Sequence, residues 1–231
     1  MSPRKQSSSR QRPEGKKEAE DAFVEKTLEL VKWSKENGQI LLLVGIVLVV
    51  LVAGGMYYAN YKNAMAERAI TQLEMVQSSV GLGDREEAKT QLYQYLDQFD
   101  DTVYALEARL ILGQILLEDG NPEEAKEVLA PAVRTMENQP IGVQAAFLMA
   151  AAYEEAGEVE ESERLYLRIA NTSELLFQIQ EAMGGAARLR AQAGDYKGAA
   201  DLYEEVLADL DPGDPGRSYW EMRLAEAKAH F

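Results

Sequence analysis

"GDREEAK" at residues 83–89 returns as "GNPEEAK" at 120–126, with the two leading glycines 37 residues apart. Another step of 37 reaches "GEVEESE" at 157–163, and a further one reaches "GDYKGAA" at 194–200. Four copies at one spacing mark an internal repeat. In each copy a helix ends at the glycine, the chain turns, and a second helix starts, mostly with acidic residues that suit its positive end. Five residues after each glycine stands a small residue (Ala88, Ala125, Ser162, Ala199), which lets two helices approach closely. One turn later comes a bulky one (Leu92, Leu129, Tyr166, Tyr203), placed to fill the gap. The unit is a helix hairpin, and the predicted turns lie near 83, 120, 157 and 194.

The remaining punctuation agrees with an all-α chain. Residues after 58 are rich in Ala, Leu, Glu and Arg, and no long alternating β-branched run offers a strand. With 231 residues, 46% of them hydrophobic, the chain can bury a core of ordinary size. Cysteine is absent, which excludes disulfide staples, thiol catalysis and thiolate metal sites.

One stretch is apolar enough to leave water altogether. Ile40–Tyr58 runs for 19 residues without a charge, long enough to cross ~30 Å of hydrocarbon as a helix. A cleaved signal peptide has a shorter apolar core nearer the N-terminus, and soluble core helices rarely need so long an uncharged run. Tyr57, Tyr58 and Tyr61 form an interfacial aromatic set at its end. Residues 40–58 are therefore predicted to be a single transmembrane helix, with no GxxxG pair to make it dimerise. No glycine or proline stands between Met56 and Ser79, so the span and the first repeat helix read either as one continuous rod or as two helices hinged at "YYANYKNA".

Charge orients the span. Arg4, Lys5, Arg10, Arg12, Lys16, Lys17, Lys26, Lys32 and Lys35 precede it, whereas only Lys62 and Arg68 occupy the twenty residues after it. The N-terminus is expected in the cytoplasm. Residues 1–39 carry nine basic and seven acidic side chains, against fifteen and thirty-two in 59–231. So acidic a domain repels nucleic acid and anionic lipid. Residues 1–19 are basic, Ser-rich and almost devoid of large apolar side chains, and are expected to be disordered. In 20–39, Phe23, Val24, Leu28 and Val31 recur at helical spacing, with Trp33 nearby. That pattern reads either as a juxtamembrane amphipathic helix or as the start of the span.

The glycine, the small and the large residue at these offsets, together with Gly113, Tyr153, Tyr196 and Pro212, resemble the tetratricopeptide repeat. The usual period of that repeat is about 34 residues, so longer helices or connections are expected here. The resemblance covers roughly 65–231, within a repeat domain assigned to 59–231. It implies an α-solenoid closed by a lone capping helix in "RSYWEMRLAEAKAHF", where Trp220 begins a first-helix pattern. The order of "VKWSKENG", span, "YYANY" exit and acidic repeats further resembles the YfgM-type ancillary subunits of the bacterial Sec translocon. That resemblance implies an inner-membrane protein with periplasmic repeats. Its implied partners are the translocon, a membrane-anchored peptidyl-prolyl isomerase-like chaperone, or emerging unfolded chains. A scaffold for outer-membrane assembly or cell division is the other reading.

Catalytic groups are scarce. His230, next to the C-terminus, is the only histidine, and no GxSxG, P-loop or HExxH occurs. Glu86–Glu87, Glu123–Glu124 and Glu160–Glu161 recur at helix starts, where carboxylates favour the dipole. No enzyme, cofactor or metal is expected. Binding is expected on the first helices of the hairpins, at Leu110, Gln114, Leu117, Phe147, Glu154 and Arg188. Leu110, Leu117 and Phe147 serve there as apolar contacts or as hairpin core, and Arg188 is suited to hold a carboxylate. Gly184–Gly185 marks either a close helix approach or a kink.

Overall fold

The computed structural model describes residues 26–231, apart from 30 and 82. The tail expected over 1–19, and residues 20–25 of the expected juxtamembrane helix, lie outside the described residues. Residues 26–29 and 31–36 are helical. The chain divides at Lys62/Asn63 into two units.

After residue 36, nine helices follow one another among the described residues: α1 (Gly38–Gly81), α2 (Arg85–Phe99), α3 (Ala105–Glu118), α4 (Pro122–Val133), α5 (Pro140–Glu155), α6 (Val159–Thr172), α7 (Leu176–Gln192), α8 (Tyr196–Ala208) and α9 (Arg217–Lys228). No strand occurs among the described residues. α1 is one helix of 44 residues, as the missing breakers require. Its apolar half is long and apolar enough to cross a membrane, with a mean hydropathy of 2.8 and none of that stretch buried.

From α3 onward each helix packs on its neighbour in sequence, and α3 also packs on α5. The hairpin turns explain the period. Gly83, Gly120, Gly157 and Gly194 have φ of 85°, 75°, 77° and 85°, a left-handed conformation that side chains resist. At Gly120 the glycine N–H donates to Leu117 O and the next N–H donates to Leu116 O, both at 2.8 Å. The same pair of bonds recurs at Gly157 and Gly194, so the last carbonyls of α3, α5 and α7 are satisfied alike. The second helices then start on caps. Asp84 accepts from Glu87 N–H and Asp195 from Gly198 N–H, and Pro122 opens α4.

Packing bears out the small-then-large pattern. Ala88, Ala125, Ser162 and Ala199 are fully buried, and Leu92, Leu129, Tyr166 and Tyr203 fill the space beside them. Ser162 keeps its hydroxyl dry by donating to Ala150 O at 2.9 Å. Alanines on the first helices (Ala108, Ala145, Ala146, Ala182, Ala186) are likewise fully buried, which sets helices close together. The residues beyond the usual period lengthen the first helices of the third and fourth hairpins, which run to 16 and 17 residues. α9 packs on α8.

Candidate protein-interaction surface

The predicted residues fall into two separate grooves and the core between them. Gln114 lies in a groove of about 370 Å³ with Gln77, Val80, Arg85, Ile111, Ile115 and Glu118, between the first two hairpins. Gln114 donates to Glu118 Oε1 at 3.1 Å, and Gln77 to Glu107 Oε1 at 2.8 Å, beside the aliphatic Val80, Ile111 and Ile115. Leu117 is buried and Leu110 is half-buried against the core, which makes both hairpin packing.

Phe147 and Arg188 lie together in a second groove, also of about 370 Å³, formed by the third and fourth hairpins and the cap. It gathers six aromatic residues, Phe147, Tyr166, Phe177, Tyr203, Tyr219 and Trp220, from the eighteen in the whole chain. Of these, Tyr166 and Tyr203 are buried as hairpin filling. Phe177 and Tyr219 remain 61% and 52% exposed, and Leu175, Leu176 and Met222 are exposed nearby. An apolar patch of this kind on a soluble domain marks a contact surface.

Gly184 and Gly185 make the groove. α7 runs through them unbroken, which settles the choice between kink and close approach in favour of approach. A Cβ on Gly184 would stand 2.5 Å from Trp220 Cη2, and one on Gly185 would stand 3.0 Å from the Tyr166 ring. Both rings therefore rest on bare backbone. Trp220 meets Tyr219 edge-on at 4.8 Å and Tyr203 at 6.2 Å, while Phe147 faces Tyr166 at 6.2 Å. These are favourable tilted arrangements that hold the walls in place.

Arg188 has a carboxylate already. Its two terminal nitrogens donate to the two oxygens of Glu154 at 2.8 and 2.7 Å, and the Tyr166 hydroxyl donates to Glu154 Oε1 at 2.9 Å. Burial pushes the Glu154 carboxyl up, but the Arg188 fork and the Tyr166 hydroxyl outweigh it and hold the carboxyl below the usual range. Burial, followed by the Glu154 charge, raises the Tyr166 phenol. The trio joins the third hairpin to the fourth and fixes Arg188 in place.

Arg223 is differently placed. It lies over the Tyr203 ring at 5.9 Å and pairs with Glu226, an exposed residue of its own helix, at 2.6 Å. Arg223, Arg188 and Tyr203 also line an adjoining pit of about 310 Å³ with Tyr196, Glu226, Ala227 and His230. There His230 stacks on Tyr196 at 4.0 Å.

Tyr166, Tyr203, Phe177, Tyr219, Trp220 and Arg223 are groove residues that the sequence reading did not assign to binding. The available signal was the change from leucine (Leu92, Leu129) to tyrosine (Tyr166, Tyr203) at one register position, coincident with the glycine pair. No group of three or more metal-ligating side chains occurs among the described residues.

Solved structures share this architecture. Nearly identical TPR-like repeats from Podosopora anserina superpose with a TM-score of 0.57 at 23% identity, covering 71% of this chain and 87% of that one. A tetratricopeptide repeat protein from Parabacteroides merdae gives 0.57 at 19% identity, covering 71% of this chain and 61% of that one. No curated protein matches the chain. The tetratricopeptide repeat-like domain family matches residues 31–229, so the stretch ahead of the apolar segment, that segment and all four hairpins fall within one match. The chain belongs to the tetratricopeptide repeat-like domain family.

Proposed function

We propose that this chain is a membrane-anchored, non-enzymatic protein-interaction subunit. Residues 40–58 cross the bacterial inner membrane, the N-terminus stays in the cytoplasm and the repeats work in the periplasm. Repeats of this family typically mediate protein–protein contacts, and the aromatic groove at the third and fourth hairpins carries the reading, because Phe177 and Tyr219 line it and stand exposed. The apolar half of α1, exposed along its length, supports the anchor. The excess of Lys and Arg ahead of it supports the orientation.

The most specific partner consistent with the order of segments is the Sec translocon, with the repeats holding a periplasmic chaperone or emerging chains beside it. The test is co-purification of the full chain in mild detergent, followed by identification of the bound proteins. Recovery of a channel subunit together with a periplasmic chaperone is the expected result. Recovery of only cell-division or outer-membrane assembly factors overturns the translocon assignment. A C-terminal fusion reporter active only in the cytoplasm overturns the topology.

A further inference from the structure

We propose that the open face of the first hairpin pairs with the same face of a second copy of this chain, two α1 helices running side by side just beyond their membrane spans. The pairing goes beyond the groove-based interaction reading and rests on the membrane anchor within it.

The repeat register defines this face. Fifteen, twelve and eight residues before the turn glycine stand Ala105, Ala108 and Leu112 in the second hairpin, Gly142, Ala145 and Met149 in the third, and Ile179, Ala182 and Ala186 in the fourth. All are buried except Ile179, which is half-buried. A Cβ on Gly142 would stand 2.4 Å from the backbone nitrogen of Met136, just past α4, so this register seats one hairpin on the one before it. In the first hairpin the same register carries Arg68, Thr71 and Met75, and these are exposed, Met75 by 59%. Together with Ala64, Met65 and Glu67 they line a depression of about 600 Å³, larger than either groove described above. The inward side of α1 lies elsewhere, where Ala69, Leu73 and Val76 are buried.

The exposed side has the spacing of a two-helix seam. Ala64, Arg68, Thr71, Met75 and Ser78 follow one another in alternating steps of four and three residues. Small residues (Ala64, Thr71, Ser78) alternate with long ones (Arg68, Met75), so two such helices can approach closely and interdigitate. In a parallel pair each seam residue fits between four residues of the facing helix, and for Arg68 these are Ala64, Glu67, Arg68 and Thr71 of the second copy. Arg68 of each copy therefore meets Glu67 of the other. Among the described residues, neither of these charged groups has an ion pair or hydrogen bond within its own chain. Two ion pairs form about the axis and offset the approach of the two guanidinium groups.

Charge and anchor name the occupant. Residues 59–231 carry thirty-two acidic and fifteen basic side chains, so two copies repel over most of their surface. Glu67 and Arg68 are the charged residues of the depression and cancel, which makes it a place where copies can touch. Ala64 follows Tyr58, the end of the span, by six residues of the same helix. A second copy anchored in the same membrane brings identical residues to the same level, as the reciprocal contact of Arg68 with Glu67 requires. The span itself has no GxxxG pair, and the residues after it supply the contact.

The chain has no cysteine, so single cysteines report the contact in the full chain in its own membrane. Under mild oxidation with copper phenanthroline, Thr71→Cys and Ser78→Cys, on the seam, should give disulfide-linked dimers. Asn63→Cys and Ile70→Cys, exposed but off the seam, should give about tenfold less, because their sulfurs lie beyond bonding reach. Two co-expressed copies with different epitope tags should appear in one band. With Thr71→Cys as reporter, Arg68→Glu should lower the crosslink about tenfold by setting four carboxylates around the axis. Combining Arg68→Glu with Glu67→Arg should restore it, with helix content by circular dichroism unchanged throughout. Equal crosslinking on and off the seam overturns the proposal, as does failure of the double exchange to restore the dimer, or a band joining the chain to a different protein. No crosslink in a chain that withstands alkaline carbonate washing overturns the pairing and leaves the anchor standing. Release of the chain by carbonate overturns the anchor, and the pairing with it.

Discussion

The groove between the first two hairpins and the groove at the third, fourth and cap have the same volume, but the first is lined by aliphatic side chains and glutamines and the second by aromatic rings and arginines. Six residues before the turn glycine, the chain places Gln77, Gln114, Ala151 and Arg188 in successive hairpins. Ten residues before it come Leu73, Leu110, Phe147 and Gly184. The frame repeats, since the glycines share one conformation and the small residues behind them are all fully buried. What changes are the positions that face the grooves. The repeat thus supplies a fixed lattice on which the groove linings differ from one hairpin to the next.

The largest way to break the comparison is to remove the bulky residue from each half. Tyr203 is 2% exposed and Leu129 fully buried, so Tyr203→Ala and Leu129→Ala should each cost about 3–5 kcal/mol, read by denaturant unfolding of the solubilised chain. Tyr203→Leu separates packing from recognition, because it gives the fourth hairpin the leucine of the first two. It should cost less than about 1.5 kcal/mol. It should also remove the aromatic seat under Arg223, changing Trp220 emission.

Adding a methyl group distinguishes the halves at smaller cost. Gly113 faces the fully buried Leu129, whose Cδ2 would stand 2.5 Å from a new Cβ. Gly184 faces the outer edge of Trp220, on a helix with no second helix behind it. Gly113→Ala should therefore cost about 2–3 kcal/mol, and Gly184→Ala about 1–2 kcal/mol with a red-shifted Trp220 as the ring swings outward. Equal costs with unchanged emission would mean that Trp220 is as confined as the core.

The frame was legible in the sequence and the groove was not, for one physical reason. A turn glycine, a small residue and a large one act through local geometry at fixed offsets, so their spacing carries the signal directly. Leu110, Leu117 and Phe147 share an apolar character that reads equally as core or contact, and only packing across hairpins divides them. Arg188 was suited to a carboxylate, and the structure supplies that carboxylate from Glu154, 34 residues earlier and on the neighbouring hairpin. Trp220 read as the start of a repeat, and its resting place on Gly184 depends on how the cap packs. Distances within a hairpin are written in the spacing, whereas distances between hairpins depend on helix packing that no offset encodes.

Glu154 sharpens the comparison at the junction of the two halves. Its folded-state carboxyl lies below the usual value, so its contribution is complete above the unfolded range near ~4.3 and is lost as pH falls through the folded value. Stability of the wild-type chain should drop more steeply on acidification below that range than that of Glu154→Gln, with the two curves parallel near neutrality. At neutral pH the substitution leaves Arg188 half-paired and should cost about 1–3 kcal/mol. Parallel curves down to the acid transition would show that Arg188 and Tyr166 do not favour the ionised form.

The smallest effect belongs to the first half, where a single ammonium links the hairpins. Lys89 reaches Asp119 of the second hairpin at 2.6 Å and Glu86 of its own helix at 2.7 Å, and these carboxylates raise its ammonium above the ordinary lysine range. Solvent and salt screen such a pair, and the chain spends rotamer freedom to form it. Lys89→Ala should barely move the thermal midpoint, and the small difference from wild type should vanish at high salt. Glu154→Gln should keep more of its penalty under the same salt, because the carboxylate is held by three directed hydrogen bonds, two from the Arg188 fork and one from the Tyr166 hydroxyl. If salt erases both penalties alike, the third-to-fourth junction is no better sealed from water than the first-to-second. The two halves would then differ in side-chain chemistry alone.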